Sequence, residues 1–309
     1  MTTPATVNIA LWATNMGFEV DSVAQWTERL AVRCREAAEQ GADLILMPEH
    51  FAETWLSFKP HGLMPAQEMA FLASQSPAAV EPIGALSREY GIAIVAGSIP
   101  WQHEDGGITN RAWTFLPDGT RLWHDKLALT PGEQDPENWC LTPGKDLRVF
   151  EWNGLRCAVL ICLDVEMPAL SVLLARKDID LLLVPSMTHQ ASGYSRVFGC
   201  AKARAVELMC AVAVVGCIGS APGSTQNPRN NAACAVYLPC EPQLGFYGVH
   251  TQTELTDGTK GEDPLVIARD VPVGTIRAMR HGSAEVWPGG WDARHVSIID
   301  ETRAKEAAE

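Results

Sequence analysis

The chain has 309 residues, of which 47% are hydrophobic and 20% are charged, and its formal net charge at pH 7 is −13. This composition is ordinary for a globular protein, and the length allows one large domain or two smaller ones. The negative charge argues against nucleic acid and anionic membranes as partners, because like charges repel. The longest apolar runs, such as Cys210–Ile218, are too short to cross a bilayer.

Cysteine usage indicates a reducing compartment. The sequence contains 9 cysteines, an odd number, and no CxxC pair. A disulfide framework or a zinc site is therefore not expected, and most of these thiols should behave as small buried hydrophobic groups. The segment MTTPATVNIALW lacks the charged start and long apolar stretch of a secretory signal, so we predict a cytoplasmic protein.

Apolar strands and helical periodicities alternate along the first half of the chain. Strands are predicted at Val7–Trp12, Leu44–Met47 and Ile92–Ser98, and helices at Val23–Gln40 and Pro65–Tyr90. The second helix is expected to break at Ser76-Pro77, since the residue before a proline disfavours helical backbone. The turn Pro117-Asp118-Gly119 predicts a hairpin between strands at Arg111–Leu116 and Arg121–His124.

The second half begins with a polar loop over residues 127–145 and then repeats the alternation. Further strands are predicted at Leu155–Ile161, Leu181–Pro185, Ala211–Cys217, Asn231–Leu238 and Val266–Asp270, and helices at Ala169–Arg176 and Arg196–Met209. This pattern predicts sheets covered by helices, and the hairpin favours a mixed sheet. Without internal repeats or low-complexity linkers, residues 1–300 are interpreted as a single domain and residues 301–309 as a charged tail.

Cys162 is the first candidate for a nucleophile. It stands at the carboxyl end of a predicted buried strand, next to the polar residues Asp164 and Glu166. A nucleophile at a sharp turn from strand to helix projects its side chain into a crevice, and backbone N–H groups at the turn can hold an oxyanion. The alternative interpretation is a buried structural thiol.

Glu49 and Lys126 extend this candidate site. Because parallel strands bring their carboxyl ends to one edge of a sheet, Glu49 and Cys162 can meet although they are distant in sequence. Lys126 follows the predicted hairpin, seven residues before Glu133. An ammonium near a thiol favours the thiolate and can stabilise a negative oxygen. Taken alone, Glu49 could be a surface carboxylate and Lys126 a solvated charge.

Together these segments resemble the nitrilase superfamily, whose members use a Glu–Lys–Cys triad in this chain order. LMPEHF is similar to the general-base motif, WHDKLALTPGEQDPENWCLTPG to the lysine motif with its second glutamate, and VLICLDVEMP to the nucleophile motif. TNRAWTFLPDGT and KARAVELMCAVAVVG resemble the hairpin before the lysine and the Arg-Ala-x-Glu helix with its following strand. The resemblance extends from Val7 to about Arg280.

The sequence departs from the superfamily pattern at three places. Leu163 stands where an aromatic residue is common, Ala169 where many members carry Glu, and Asn231–Leu238 lacks the usual Gly-x-Ser start. Position 163 is close to the reaction, but the backbone N–H expected to serve there is independent of the side chain. We therefore expect activity to persist.

The resemblance implies covalent catalysis without a metal or organic cofactor. Cys162 would attack the carbonyl carbon of an amide, and Glu49 would take the thiol proton and pass it to the leaving amine. Lys126 and the N–H of Leu163 would hold the oxyanion, and Glu133 would orient Lys126 and the substrate. Water would then release the acid from the thioester.

The resemblance also implies an α/β fold, the four-layer α-β-β-α sandwich of the superfamily, with two mixed sheets inside and helices outside. Members commonly pair, so a homodimer or a larger even homo-oligomer is expected. The substrate would be a small-molecule amide or nitrile. Position after the strand ends suggests that the following residues, with Leu163, contact it: Phe51, Trp139, Met187 and His189.

The residues after the cysteine bear on the choice of substrate. True nitrilases of the superfamily tend to carry Trp-Glu there, whereas amidases carry an aromatic residue followed by Asp. The pair Leu163-Asp164 therefore favours amide over nitrile hydrolysis. The departures at Leu163 and Ala169 also leave open a catalytically weak binding module that keeps the fold, although the presence of all four charged and thiol candidates argues against it.

Overall fold

Two mixed β-sheets form the centre of the protein, which we describe from a computed structural model over residues 4–226, 229–282, 284–286 and 288–299. The first sheet consists of β1 (Val7–Trp12), β2 (Leu44–Leu46), β3 (Ala93–Val95), β4 (Ile99–Gln102), β5 (Ile108–Phe115), β6 (Arg121–Asp125) and, near the end of the chain, β13 (Leu265–Val271). The second sheet consists of β7 (Val149–Trp152), β8 (Leu155–Val159), β9 (Leu181–Ser186), β10 (Ala211–Gly216), β11 (Cys234–Tyr237) and β12 (Val249–Gln252).

Helices cover the outer faces of both sheets. The α-helices are α1 (Val23–Glu39), α2 (Pro65–Tyr90), α3 (Pro131–Gln134), α4 (Leu163–Glu166), α5 (Pro168–Leu174), α6 (Ala191–Leu208) and α7 (Val273–Arg280). Two 3₁₀ segments lie at Phe51–Phe58 and Pro242–Leu244. Among the described residues, no helix has the length and apolar character needed to span a membrane.

The alternation of side chains along the strands builds two separate hydrophobic cores. In β2, Leu44 and Leu46 belong to the core between the two sheets, whereas Ile45 faces the layer of α1 and α2. Trp26 of α1 is fully buried in that second core. On the outer face of the second sheet, residues of α6 such as Ala201 belong to the same hydrophobic cluster as the residues between the two sheets. The result is the predicted four-layer arrangement of helix, sheet, sheet and helix.

Parallel pairing in both sheets brings strand ends to a common edge. Strands β1, β2 and β3 run parallel in the first sheet, and β8, β9 and β10 run parallel in the second. The two sheets meet just beyond these ends, where the N–H of Glu49 donates to the carbonyl of Ser186 at 3.2 Å. The segments after β2, β6 and β8 therefore converge at this edge. The predicted charged tail, residues 301–309, lies outside the described residues.

The predicted break at Ser76-Pro77 is wrong, because α2 continues from Pro65 to Tyr90 with Pro77 and Pro82 inside it. A proline removes one N–H from the helix ladder. The preceding residue, Ser76, ties the helix to β4, because its buried hydroxyl lies 2.6 Å from the carbonyl of Pro100. Contact with β4 therefore holds the helix through its prolines.

Strands β4, β7 and β12 have no counterpart among the predicted elements, and all three lie at sheet edges. An edge strand is not covered on both sides, so it needs no continuous apolar run, and β4 even contains a proline. The predicted strand Ile92–Ser98 is shorter in the structure because the chain bends at Gly97, which has a φ of +52°. There a side chain would collide with Pro48, since an added Cβ would lie 1.8 Å from the Pro48 carbonyl oxygen.

Replacing the buried serine of α2 tests its structural role. We expect Ser76→Ala to lower the free energy of unfolding by about 1–3 kcal/mol, because the variant removes the buried hydrogen bond from the Ser76 hydroxyl to the Pro100 carbonyl. Urea unfolding followed by circular dichroism measures the loss. Ser74→Ala, which removes an exposed hydroxyl from the same helix, serves as the matched control. Equal stability of the two variants would contradict this role.

Candidate active site

A cavity of about 390 Å³ opens where the chain leaves β2, β6 and β8. Its wall contains all four predicted catalytic candidates: Glu49, Lys126, Glu133 and Cys162. Each of the four is buried, although three are ionisable groups with charges that are costly to remove from water. Their charges must therefore be compensated within the cavity itself.

Lys126 provides that compensation by lying between two carboxylates. Its Nζ donates to Glu49 Oε1 at 2.8 Å and to both carboxylate oxygens of Glu133 at 2.7 Å. Glu133 is fixed by a capping box on α3, in which the Thr130 hydroxyl and the Glu133 carboxylate accept each other's backbone N–H. The short helix thus fixes the second carboxylate at the ammonium.

These contacts keep the cluster charged despite its burial. Burial lowers the pKa of Lys126, but the charges of Glu49 and Glu133 outweigh it and raise the pKa above that of a free lysine. Burial conversely raises the pKa of Glu133, but the Lys126 ammonium more than reverses this effect, so the pKa is lowered. Lys126 is therefore an ammonium and Glu133 a carboxylate at neutral pH.

Cys162 occupies a strained turn between β8 and α4. Its φ of +47° and ψ of −106° are unusual for a residue with a side chain. The turn is held by the Cys162 N–H, which donates to the Pro185 carbonyl at 2.9 Å, and by the Cys162 carbonyl, which accepts from Val165 at 3.0 Å. Burial, together with the Glu49 carboxylate, raises the pKa of the Cys162 thiol, so it is protonated at neutral pH.

Asp164 connects the Cys162 turn to the segment that carries Lys126. Its carboxylate accepts the N–H of Ile161 at 3.0 Å on one side, and those of Leu127 at 3.1 Å and Ala128 at 2.7 Å on the other. Asp164 is completely buried. Charge-assisted hydrogen bonds of this kind are strong, so they fix the thiol and the ammonium relative to each other.

Asn110 and His50 were not among the sequence candidates. Asn110 Nδ2 donates to Glu49 Oε1 at 2.9 Å and lies 3.0 Å from Nε2 of His50, which itself lies 3.5 Å from Glu133 Oε1. Both residues are buried. The sequence offers one signal for each residue: His50 directly follows Glu49, and Asn110 stands at the start of the hairpin segment TNRAWTFLPDGT. Neither indicates a contact between segments about 60 residues apart, because only the folded sheet brings them together.

The predicted substrate-binding residues are mostly at the cavity. Leu163, Trp139, Met187 and His189 line it. Phe51 does not, and this expectation is corrected by the structure: its ring packs against those of Trp12 and Trp26, with centroid distances of 5.3 and 4.7 Å. The reason is the left-handed backbone of His50, with φ +50°, which turns the chain so that Phe51 enters the hydrophobic core.

The same cluster contains a set of atoms with spacing suited to a metal. One ligand atom each from Glu49, His50 and Glu133 lies within 4.8 Å of the others. The Lys126 ammonium, however, is hydrogen-bonded to both of these carboxylates and would repel a cation placed between them. These residues therefore fit an ammonium better than a metal ion.

Comparison with known proteins identifies the family. The carbon-nitrogen hydrolase family matches residues 9–251, well over half of the chain. The chain belongs to this family. The resemblance to the nitrilase superfamily is thereby confirmed, and the predicted catalytic candidates Glu49, Lys126 and Cys162 all lie within the matched region.

Curated relatives include hydrolases and amidases. The chain is 26% identical over 254 residues to the probable hydrolase YhcX of Bacillus subtilis, covering 81% of this chain and 49% of that protein. It is 34% identical over 167 residues to the omega-amidase NIT2 of Danio rerio, covering 52% of this chain and 56% of that protein. The aligned part of the chain thus spans about half the length of these relatives.

Solved structures confirm the predicted fold class. A Cys-to-Ser mutant of the Nesterenkonia AN1 amidase from the nitrilase superfamily is 26% identical, with a TM-score of 0.66 over 90% of this chain and 96% of that one. A Cys-to-Ala mutant of that amidase in complex with butyramide is 26% identical, with a TM-score of 0.66 over 90% of this chain and 97% of that one. A Glu-to-Gln mutant of the same amidase, which shows Michael addition of acrylamide at the active-site cysteine, is 26% identical, with a TM-score of 0.65 over 89% of this chain and 98% of that one.

The charged cluster predicts a specific pH dependence of stability. Because the folded-state pKa of Glu133 is lowered, its contribution is present above the unfolded value of about 4.3 and is lost as the pH falls below it. We expect the free energy of unfolding to fall more steeply between about pH 5 and 3 in the wild type than in Glu133→Gln.

Urea unfolding across this range measures both slopes. Glu39→Gln is the control. Glu39 is 69% exposed and its ion pair with Arg35 is long, at 4.0 Å, so it contributes little to stability. The slope of this variant should therefore match that of the wild type. Parallel curves for the wild type and Glu133→Gln would contradict the assignment of a lowered pKa to Glu133.

Proposed function

We propose that this carbon-nitrogen hydrolase cleaves a small amide to a carboxylic acid and ammonia or an amine, through a thioester on Cys162. The observation that carries the proposal is the placement of one thiol, one ammonium and two carboxylates in the wall of a single cavity. Amides are poor electrophiles with poor leaving groups. Their hydrolysis needs a strong nucleophile, a proton donor to nitrogen and stabilisation of charge on oxygen, and the cavity contains a group for each task.

The first half-reaction begins with a neutral thiol, because the pKa of Cys162 is raised. A base is therefore required, and Glu49 is the carboxylate that we assign to this role. As sulfur bonds to the carbonyl carbon, Glu49 accepts the thiol proton. It then transfers that proton to the nitrogen, the carbon–nitrogen bond breaks, and ammonia or an amine leaves.

Two donors are available for the oxyanion of the tetrahedral intermediate. Lys126 supplies a positive charge whose position is fixed by two carboxylates. Leu163 is the first residue of α4, so its N–H lies outside the hydrogen bonds of the helix. Leu163 stands where an aromatic residue is common in the superfamily, but this change of side chain leaves the backbone N–H in place. Glu133 positions Lys126 and contributes to the cavity wall.

The second half-reaction returns the enzyme to its starting state. Water gives a proton to Glu49 and its oxygen bonds to the thioester carbon. The carbon–sulfur bond then breaks, Cys162 regains the proton, and the acid leaves. No metal or organic cofactor enters this sequence of steps.

An amide is favoured over a nitrile as substrate by two observations. The acidic residue after Leu163 is Asp164, and the related Nesterenkonia structure contains butyramide. The second candidate function is hydrolysis of a small nitrile by the same thiol. Ammonia release from a panel of small amides, ω-amides, N-carbamoyl compounds and nitriles separates the two, since only the preferred class should show turnover.

Substitution of the proposed catalytic residues tests the mechanism. We expect Cys162→Ala to abolish turnover, because no other group in the cavity can form the thioester. Glu49→Gln should lower kcat at least 100-fold because it removes the proposed base, whose contribution is typically about 100- to 10,000-fold. Lys126→Ala should lower kcat by a similar factor, since the loss of one oxyanion donor costs about 3 kcal/mol. The measurement is ammonia release at saturating amide.

Cys240→Ala is the control, because Cys240 is an exposed thiol outside the cavity, and it should retain full turnover. Near-normal hydrolysis by Cys162→Ala would refute the assignment. The alternative of a binding module predicts instead that acrylamide fails to modify Cys162 and that no member of the panel is hydrolysed. Mass spectrometry of the acrylamide-treated protein decides between these outcomes.

We further propose that the protein forms a homodimer or a larger even assembly. The support is an apolar surface on α5, where Val172 is 69% exposed and Leu173 is 58% exposed. A contiguous exposed apolar patch is typical of a surface that a partner covers, and these two neighbouring side chains would form part of one. The α5 helix also contacts α4 and α6, so a partner there would lie close to the cavity wall.

Charge introduced on α5 tests this assembly. The double variant Val172→Glu/Leu173→Glu should sediment as a monomer at concentrations where the wild type sediments as a dimer or larger species, because pairing would bury uncompensated carboxylates. The control is Val32→Glu, which places the same charge at a 40% exposed valine of α1. Identical sedimentation of all three proteins would exclude α5 as the interface.

We also retain the proposal of a cytoplasmic location. All nine cysteines are free thiols in the structure, and seven of them lie buried or partly buried in the fold. Free thiols persist in a reducing compartment and are uncommon in secreted proteins. Fractionation of cells that express the full chain would show where it accumulates.

A further inference from the structure

A second charged pair lies in the cavity wall, separate from the Lys126 cluster. Glu166 is the last residue of α4, and Arg196 extends from α6 to meet it. Arg196 Nε donates to Glu166 Oε2 at 3.1 Å. Only 13% of the Glu166 side chain is exposed, against 62% of the Arg196 side chain. The pair therefore extends from the wall of the cavity to its opening.

This pair has bonding capacity that the protein does not use. A guanidinium group carries five N–H donors, and Arg196 employs only Nε toward the residues that the structure describes. Within the same part of the chain, Glu166 Oε1 accepts no hydrogen bond. A free guanidinium edge and a free carboxylate oxygen are thus presented side by side to a molecule in the cavity.

The other charges around the cavity do not offer the same combination. The Lys126 ammonium is bonded to two carboxylates. Burial lowers the pKa of His189, so this ring is neutral at pH 7. With three carboxylates and two cations in its wall, the cavity has a net charge of −1. A substrate that carries only an ammonium offers no partner to Arg196. A substrate that carries only a carboxylate makes the cavity more negative.

Resting on the amidase function proposed above, we propose that the preferred substrate is an amide whose far end carries both an ammonium and a carboxylate. The substrate carboxylate binds the terminal nitrogens of Arg196, which match its planar geometry. The substrate ammonium binds the free oxygen of Glu166. Such a substrate is neutral overall, so it places both charges without adding to the net charge of the cavity.

The length of the substrate follows from the position of Glu166 on α4. Leu163, directly after Cys162, and Glu166 are the first and last residues of α4, so the helix places Glu166 roughly 4.5 Å along its axis from the Cys162 turn. A chain of two or three carbons between the amide and the charged carbon spans a similar distance. The substrate class is therefore a short ω-amide with a zwitterionic end.

Four amides that differ only in their charged groups test this proposal. L-Glutamine carries both charges, glutaramate lacks the ammonium, 4-aminobutanamide lacks the carboxylate, and butyramide lacks both. Wild-type kcat/KM should be at least 10-fold higher for L-glutamine than for butyramide, because sites built to bond polar groups reject analogues without them. The two singly charged amides should lie below L-glutamine.

Variants of the pair should change this selectivity in opposite ways. Glu166→Gln should lower the preference for amides with an ammonium, and Arg196→Gln the preference for amides with a carboxylate, each about 10-fold or more. Arg196→Lys, which keeps the charge, should restore part of the second preference. Arg176→Gln is the matched control, since Arg176 is 59% exposed and 3.1 Å from Asp292, and its selectivity should equal that of the wild type.

The outcomes separate this inference from the function on which it rests. If the wild type hydrolyses butyramide as efficiently as L-glutamine, the zwitterion proposal is overturned while the amidase proposal stands. The same holds if the two variants reduce kcat/KM equally for all four amides. If the wild type hydrolyses none of the four, both proposals are overturned. Circular dichroism of each variant confirms that it is folded before its selectivity is compared.

Discussion

The buried ammonium of Lys126 is the interaction on which the arrangement of the cavity depends. An isolated carboxylate at the position of Glu49 or Glu133 would be expensive to bury, and so would an isolated ammonium. With each carboxylate within 2.8 Å of the Lys126 ammonium, the three groups compensate one another. Removal of one partner from a buried pair costs about 3–5 kcal/mol because it leaves an uncompensated charge. The charged groups of the cavity are therefore also elements of its stability.

This dependence explains why the surrounding backbone is so closely tied together. The capping box on α3 fixes Glu133, Asp164 joins the Lys126 segment to the Cys162 turn, and Asn110 donates to Glu49. The bonds of Asp164 and Asn110 each join a different pair of distant chain segments. A displacement of one strand end would separate the Lys126 ammonium from its two carboxylates, so the ion cluster and the backbone bonds stabilise the same geometry.

Much of this site could be predicted from the sequence, because its main residues follow strongly apolar strands. Glu49 and Cys162 stand at the ends of such runs, and Lys126 and Glu133 have a recognisable spacing. Asn110 and His50 could not be assigned in this way, since their roles arise from contacts across the sheet. Phe51 shows that the place of a residue after a strand end does not by itself predict a contact with the cavity. The left-handed backbone of His50 directs the Phe51 side chain into the hydrophobic core instead. The fold followed the same rule in part, because the buried parallel strands were predicted whereas the edge strands β4, β7 and β12 were missed.

The close approach of Gly97 to Pro48 has a consequence for the engineering of this protein. Glu49 directly follows Pro48, so the backbone that carries the proposed base rests against a position where even a methyl group finds no room. Mutant libraries meant to broaden substrate range can vary the cavity wall, but position 97 must remain glycine. In natural relatives that keep this geometry, the same position should accept no other residue, which makes glycine there a marker of a correctly placed carboxylate.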